Sequence, residues 1–301
     1  MVFDDVPYLE TLSHLGRPRR LASMPHGLFV RAIPGTRHHD ALGPWPYASA
    51  PDPHRLPDAM AELQALDAVS FTGMIRPDAE IDLLAAAAGG FRVAPLKPHF
   101  VIAPGHVPGL GARSRRNLSV AARHWDIDTA PDPGEAADVA MRLHQRLQAR
   151  RRMSPMTRMA PGHFPAVLAL PGMRALAARA QGAIGALVIA ARGAGETHLL
   201  HLLVDEDAIA TGPAYLLMDH VARHWAADGP VYMGGVPDGP DGPGIARFKA
   251  RWASHTRPTC LLTAIVRPDL YAALASEHGA AGSYFPAYRS PAPAPPEACA
   301  A

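Results

Sequence analysis

Apolar and polar positions along the chain switch between two periods. "DAMAELQALD" (58–67) and "DAEIDLLAAAAGG" (78–90) carry helical spacing, the second closed by glycine, and "AVSFTGMI" (68–75) between them reads as a strand. "FRVAPLKPHFVIAPG" (91–105) is extended, and so is "HGLFVRAIP" (26–34) in a proline-broken stretch that runs to about residue 60. A second block opens near residue 106. "SRRNLSVAARHW" (114–125) is helical, and "PGEAADVAMRLHQRLQARRRM" (133–153) is a longer helix with acids early and arginines late, as the helix dipole favours. "GAIGALVIAARGAGETHLLHLLVD" (182–205) predicts two strands around the turn "RGAGE"; "GPAYLLMDHVARHWAADG" (212–229) is an amphipathic helix ending in glycine, and "PVYMGGV" (230–236) is a buried strand. A loop of Pro, Asp and Gly follows, then a short helix, a strand "TCLLTAIV" (259–266) and a last helix "PDLYAALASEHG" (268–279). The alternation predicts an α/β protein without a residue-level repeat.

Composition narrows the function classes. At 301 residues and 48% hydrophobic content the chain can fill a proper core, and the excess of Ala, Arg, Gly and Pro reads as coding bias, so only departures from it inform. A net charge of +2 permits a polyanionic partner without demanding one. The two cysteines, Cys260 and Cys299, are too far apart in sequence for a disulfide framework or a multi-cysteine zinc site, and the 16 histidines show no ligand-like cluster, so no metal is expected. "MVFDDVPYLETL" has acids where a signal peptide needs positive charge, and no apolar run approaches a spanning helix, so a cytoplasmic protein without a membrane is expected.

One departure from the bias is lysine. Of 29 lysine and arginine residues only Lys97 and Lys249 are lysine, and Lys249 sits in "GPGIARFKARW" (242–252) directly after "GGVPDGPD". A compact ammonium on a flexible stem reaches a single oxygen in a way the broad guanidinium fork does not. The alternative is a solvated helix residue that escaped the bias. With the preceding order of hairpin, helix and strand, the segment resembles the Fem-type branch of the GNAT acyltransferase superfamily, whose helix motif is matched here by Gly244, Phe248, Lys249 and Trp252. "SRRNLSVAARHWDID" and "LGPWPYASAPDP" extend the resemblance over most of residues 40–270.

The resemblance implies two GNAT-like units packed together, with residues 1–105 as the first, 106–288 as the second with the catalytic helix, and a disordered Pro-rich tail over 289–301. It implies transfer of an aminoacyl group, from aminoacyl-tRNA, to a primary amine of a small-molecule or peptide acceptor, with no separate cofactor because the donor ester carries the activation. Lys249 would meet the tetrahedral oxyanion, with Phe248 packed beneath it and Trp252 fixing the helix; Gly244, Trp252, Asp238 and Asp241 would line the substrate under a closing loop, the two aspartates accepting the amine proton. Asp238 and Asp241 also fit simple turns. Trp45 and Tyr47, between prolines, would line the acceptor pocket or pack under a loop. Arg115 and Arg116, with Arg150, Arg151 and Arg152, would track tRNA phosphates or form solvated faces.

An acyl-CoA donor is the rival. Its pyrophosphate is held by a Gln/Arg-x-x-Gly-x-Gly/Ala turn, and the equivalent "AIATGPAYLL" (208–217) keeps only Gly212 and Ala214 as small residues, while Pro213 removes a backbone donor. A non-catalytic GNAT-like binding module is the remaining alternative. "RHHD" (37–40) lacks the spacing of peptide condensation motifs, and "GLGARS" (109–114) lacks the third glycine of a dinucleotide fingerprint. In "HLLH" the rings of His198 and His201 fall on opposite faces of a strand, so they do not share a metal.

Overall fold

The computed structural model describes residues 1–151, 153, 155–193, 195–278 and 284–290. Arg152, Cys299 and residues 291–301 of the expected tail (289–301) lie outside these residues, while Arg289 at its start is held by an ion pair to Asp40.

The first half of the chain runs α1 (Val6–Glu10), β1 (Arg17–Arg20), β2 (Gly27–Ala32), β3 (His39–Leu42), α2 (Leu56–Ala65), β4 (Ala68–Ile75), α3 (Leu83–Ala88) and β5 (Arg92–Ile102). There follow α4 (Ala112–His124), β6 (Asp126–Asp128), α5 (Pro133–Arg150), α6 (His163–Leu168), β7 (Met173–Ala180), β8 (Ala183–Gly193) and β9 (Glu196–Val204). The last elements are α7 (Pro213–His220), β10 (Val231–Tyr232), α8 (Gly242–Ala250), β11 (His255–Ile265) and α9 (Pro268–Glu277). Local chemistry explains several boundaries. Asp132 caps α5 by accepting from the Glu135 N–H, with Pro133 at the first helical position, and Asp82 caps α3 through two N–H groups.

The strands form one sheet in the order β1-β2-β3-β4-β11-β5-β10-β9-β8-β7-β6. The order contains one motif twice: an antiparallel hairpin, a helix, a strand parallel to the hairpin's second strand, a helix and a final strand. In the first copy β2 and β3 are followed by β4 and β5; in the second β8 and β9 are followed by β10 and β11. The two final strands lie side by side at the centre of the sheet, each against the other copy's parallel strand, β11 on β4 and β5 on β10.

Both faces of the sheet are covered. β8 shows this in its alternation: Leu187 and Ile189 join the core under α5, α6 and the N-terminal segment, while Ala186, Val188 and Ala190 join the core beneath α7 with Trp225 and Trp252. A third core gathers α2, β4 and Phe91. The strand expected at 230–236 narrows to Val231–Tyr232: Met233 and Gly234 still exchange backbone bonds with Phe100 of β5, but the pairing with β9 ends at Tyr232, and Gly234 follows with a left-handed φ of +73°. Asp40 of "RHHD" is buried and paired with Arg31 and Arg289, a structural role.

Candidate active site

β9 runs on to Val204 while β10 stops at Tyr232, and a cleft of about 510 Å³ opens where their pairing would have continued. Leu199 to Val204 form one wall. The start of α7 contributes Gly212, Pro213, Ala214 and Tyr215, α8 contributes Gly244, Ile245, Phe248 and Lys249, and Arg146, Arg150 and Arg151 stand at the α5 side. Within the β9 wall Ile189 pairs with His201 but Ala190 with Leu199, so a bulge at Leu200 leaves one residue out of the ladder and re-aims its neighbours.

Lys249 is held at its head. Its Nζ donates to the carbonyls of Met233 and Gly235, both at 2.6 Å, which the chain exposes as it leaves the sheet after β10. An ammonium has three N–H bonds, so one remains to point at a third oxygen. Burial, and secondarily the charge of Lys97, push its pKa down to about 8. Lys97 Nζ donates to the Val236 carbonyl at 3.3 Å from the other side of the same segment. The chain's only two lysines thus converge on residues 233–236. Gly235 is pressed so closely on Lys97 and His99 that a Cβ there would fall 2.9 and 3.0 Å from them, and burial followed by the two lysine charges lowers His99 to about 4.

The remaining expected residues divide. Phe248 lines the cleft and packs edge-on against Tyr215 and Trp252, at centroid distances of 5.5 and 6.4 Å. Gly244 lines the cleft in the first turn of α8. Trp252, expected at the substrate, is fully buried in the core behind Phe248, where it fixes the helix and does not meet the cleft. Tyr47 is likewise buried, its hydroxyl 2.5 Å from His198 Nδ1, and belongs to packing under the loop rather than to an acceptor pocket. Trp45 packs on the ring of His201, which does line the cleft, at 5.8 Å. Asp241 is exposed and lies 3.4 Å from Arg151, tying the glycine-rich loop to the rim; Asp238 is exposed in that loop. Arg150 pairs with Glu206 at the rim. Arg115 and Arg116 are exposed on α4 and do not line the cleft, so the expected arginine cluster is brought only in part to the site.

Three residues of the site were not anticipated. Tyr215 and Lys97 are two, and the rarity of lysine already marked the second. The third is His201, around which His163, His144, Phe164 and Trp45 pack at centroid distances between 5.1 and 6.2 Å. The "HLLH" rings do fall on opposite faces: His198 meets Tyr47 and Tyr232, while His201 faces the cleft. Among the described residues no group of His, Cys, Asp and Glu is arranged to hold a metal ion, and no helix is long and apolar enough to cross a membrane.

At the start of α7 the geometry bears on the donor. Gly212 takes a left-handed φ of +71°, its N–H is committed to Ile209 and that of Tyr215 to Gly212, and Pro213 has none. Of Gly212, Ala214 and Tyr215 only Ala214 has no such bond for its N–H, a poor cradle for a pyrophosphate.

Comparison with known proteins agrees with this architecture. Residues 111–238 match the family described as Acetyltransferase (GNAT) domain. No curated protein matches in sequence. FemX shares the fold at a TM-score of 0.68 and 12% identity, over 91% of this chain and 94% of that one. The C-terminal domain (DUF2156) of a provisionally assigned lysylphosphatidylglycerol synthetase from Agrobacterium fabrum does so at 0.60 and 17%, over 92% of each chain. L-PGS from Bacillus licheniformis does so at 0.58 and 14%, over 85% and 90%. At these identities the fold is what is shared: two packed GNAT-like units in the Fem-type arrangement.

Proposed function

We propose that this chain of Fem-type GNAT fold transfers an aminoacyl group, from an aminoacyl-tRNA ester, to a primary amine, with Lys249 stabilising the oxyanion. The observation that carries the reading is the ammonium of Lys249, anchored on two carbonyls at the cleft wall with one N–H left over. Attack of an amine on an ester passes through a tetrahedral oxyanion, and a fixed donor aimed at that oxygen contributes about 3 kcal/mol. Because the donor is held before substrate arrives, little reorganisation is needed at the moment of reaction.

Two features favour an aminoacyl over an acyl-CoA donor. The α7 entry is poor in free N–H groups, and one of the structural neighbours is named for a lysylphosphatidylglycerol synthetase, whose product carries an aminoacyl group. In this reading Arg150 and Arg151, which line the rim in pairs with Glu206 and Asp241, exchange those carboxylates for donor phosphates, and Phe248 and Gly244 line the ester. The acyl-CoA reading keeps one observation of its own, the acetyltransferase description of the family matched over 111–238.

Binding decides between them. Purified protein is titrated with acetyl-CoA and, separately, with a pool of charged tRNA at low and physiological salt. Salt-sensitive tRNA binding without CoA affinity supports the proposal, and CoA binding without tRNA binding replaces it with an ordinary N-acyltransferase. Lys249→Ala is expected to lower single-turnover transfer about 100- to 1000-fold while donor binding is retained. Transfer by the parent protein should also fall as pH rises through about 8, where the ammonium loses its proton. A Lys249→Ala protein as active as the parent would remove lysine from the mechanism.

A further inference from the structure

Deep in the cleft wall, the tautomer of His201 is dictated by a chain of contacts that ends on a backbone carbonyl. His163 Nδ1 lies 3.1 Å from the carbonyl oxygen of Thr11. A carbonyl only accepts, so Nδ1 carries the proton, and the Nε2 of neutral His163 is left with a bare lone pair. That Nε2 faces His201 Nε2 at 3.4 Å. Two bare nitrogens would repel, so His201 carries its proton on Nε2 and donates it, weakly, to His163. His201 Nδ1 is then the unprotonated nitrogen, on a ring that lines the cleft.

We propose that His201 is the general base of the transfer, its bare Nδ1 accepting the proton of the attacking amine, and that His163 and the Thr11 carbonyl are the positioning groups that fix this tautomer. The proposal rests on the acyl-transfer reading of the same cleft. In the step, the amine lone pair forms a C–N bond to the donor's ester carbon while the carbonyl π pair moves to oxygen, next to Lys249. The proton on the now cationic nitrogen passes to His201 Nδ1. The oxyanion pair re-forms the carbonyl as the ester C–O bond breaks, and the departing oxygen takes the proton back from His201. The products are an amide and an alcohol, with no oxidant or reductant required and His201 returned to its starting state.

The surroundings keep the resting ring neutral and make its imidazolium a strong acid. Burial, then the neighbouring His163 and His144, lower the pKa of His201 well below its ordinary value, and burial lowers His163 to about 4. His144, on α5, presents a bare Nε2 that accepts from the Met159 N–H at 3.1 Å and is itself neutral-leaning through burial. On α6 the ring is faced by His163 and Phe164, from the loop after β3 by Trp45, and His14 adds its charge to His163 and His144 when protonated. The charged groups sharing the cleft are Arg146, Arg150, Arg151, Lys249 and Glu206. A resting His201 is therefore unprotonated across the neutral range, and its imidazolium readily gives the proton to a poor leaving group.

Two measurements test this on the full chain. Long-range proton–nitrogen correlation on protein labelled with nitrogen-15 histidine reads the tautomer of each ring, with His201 assigned by the signal lost in His201→Gln. The expected pattern is protonated Nε2 and bare Nδ1, retained in His163→Gln, whose amide oxygen still accepts, and scrambled in His163→Phe, which cannot. Transfer is measured to hydroxylamine as a probe amine, from whichever of charged tRNA or acetyl-CoA the protein binds. His201→Gln should lower the rate about 100-fold or more with donor affinity unchanged, and His163→Phe should lower it less, with His163→Gln restoring most of the loss. A proton found on Nδ1, or a His201→Gln protein that transfers at the parent rate, overturns the proposal while leaving the transferase reading intact. A parent protein that transfers to no amine from either donor sinks the transferase reading, and this proposal with it.

Discussion

At the residue scale, lysine is where sequence and site meet most directly. In a chain that writes nearly every cation as arginine, a lysine on the helix after a glycine loop stood out, and it heads the cleft wall. The second lysine carried the same signal without a motif around it. Its link to Lys249 passes through the backbone of residues 233–236, a contact between β5 and the turn after β10 that no local pattern contains. His201 was hidden for a similar reason: its partners come from α5, α6 and the loop after β3. The scarcity of lysine makes the pair easy to observe. Protein labelled with carbon-13 at lysine Cε should give two signals, one of which titrates through about 8 and disappears in Lys249→Arg. In Lys97→Met that signal should titrate at higher pH, because a neighbouring positive charge no longer disfavours the ammonium. If neither signal moves below the ordinary lysine range of about 10.4, the picture of a desolvated, charge-coupled ammonium is wrong.

At the element scale, the elements with strong punctuation were legible and those without were not. α5 announces itself by Asp132-Pro133 and the graded charge along it, and the β8–β9 hairpin by its glycine turn. β7 did not: "MRALAARA" is alanine and arginine in a chain full of both, and only its pairing with β8 makes it a strand. β10 was read too long because a buried apolar run does not reveal where a ladder ends; the pairing with β9 ends at Tyr232, ahead of the left-handed Gly234, and this early stop is what opens the cleft. The approach to β10 depends on another glycine. Gly229 has a φ of +155°, and a Cβ there would lie 1.6 Å from the Gly195 carbonyl oxygen in the β8–β9 turn. Backbone meets backbone at that point, so neither side can yield by a rotamer change. Gly229→Ala should destabilise the protein by about 3 kcal/mol or more, a fall in melting temperature of roughly 5–10 °C, and should impair transfer by displacing the carbonyls that hold Lys249. An unchanged melting curve would show that the turn relaxes freely.

At the scale of the whole molecule, two GNAT-like units were expected in sequence order, and the resemblance that suggested them lay in one motif and its preceding elements. What no sequence pattern could show is that the units exchange their last strands. Pairing of β5 with β10, and of β11 with β4, is a property of sheet closure and leaves no local mark. Polar contacts reinforce the exchange: Arg76, next after β4, makes a two-pronged bond to Glu196 at the start of β9, and Asp78 accepts from the Tyr232 hydroxyl of β10 at 2.7 Å. Each unit therefore lacks a neighbour for its parallel strand unless the other is present. β5, between β11 and β10, would be stripped of ladder partners on both sides in a fragment ending at residue 105, and in the remainder β10 and β11 would lose the strand that joins them. Unpaired backbone at the middle of a sheet is costly and prone to aggregate. Residues 1–105 and 106–301 expressed separately should each fail to give dispersed amide spectra, co-expression should restore a 1:1 complex, and the intact chain should melt in one calorimetric transition with matching calorimetric and van't Hoff enthalpies. Two resolved transitions, or an independently folded N-terminal fragment, would mean that the central strand exchange contributes little to stability. The cleft would then have to be regarded as the work of the second unit alone.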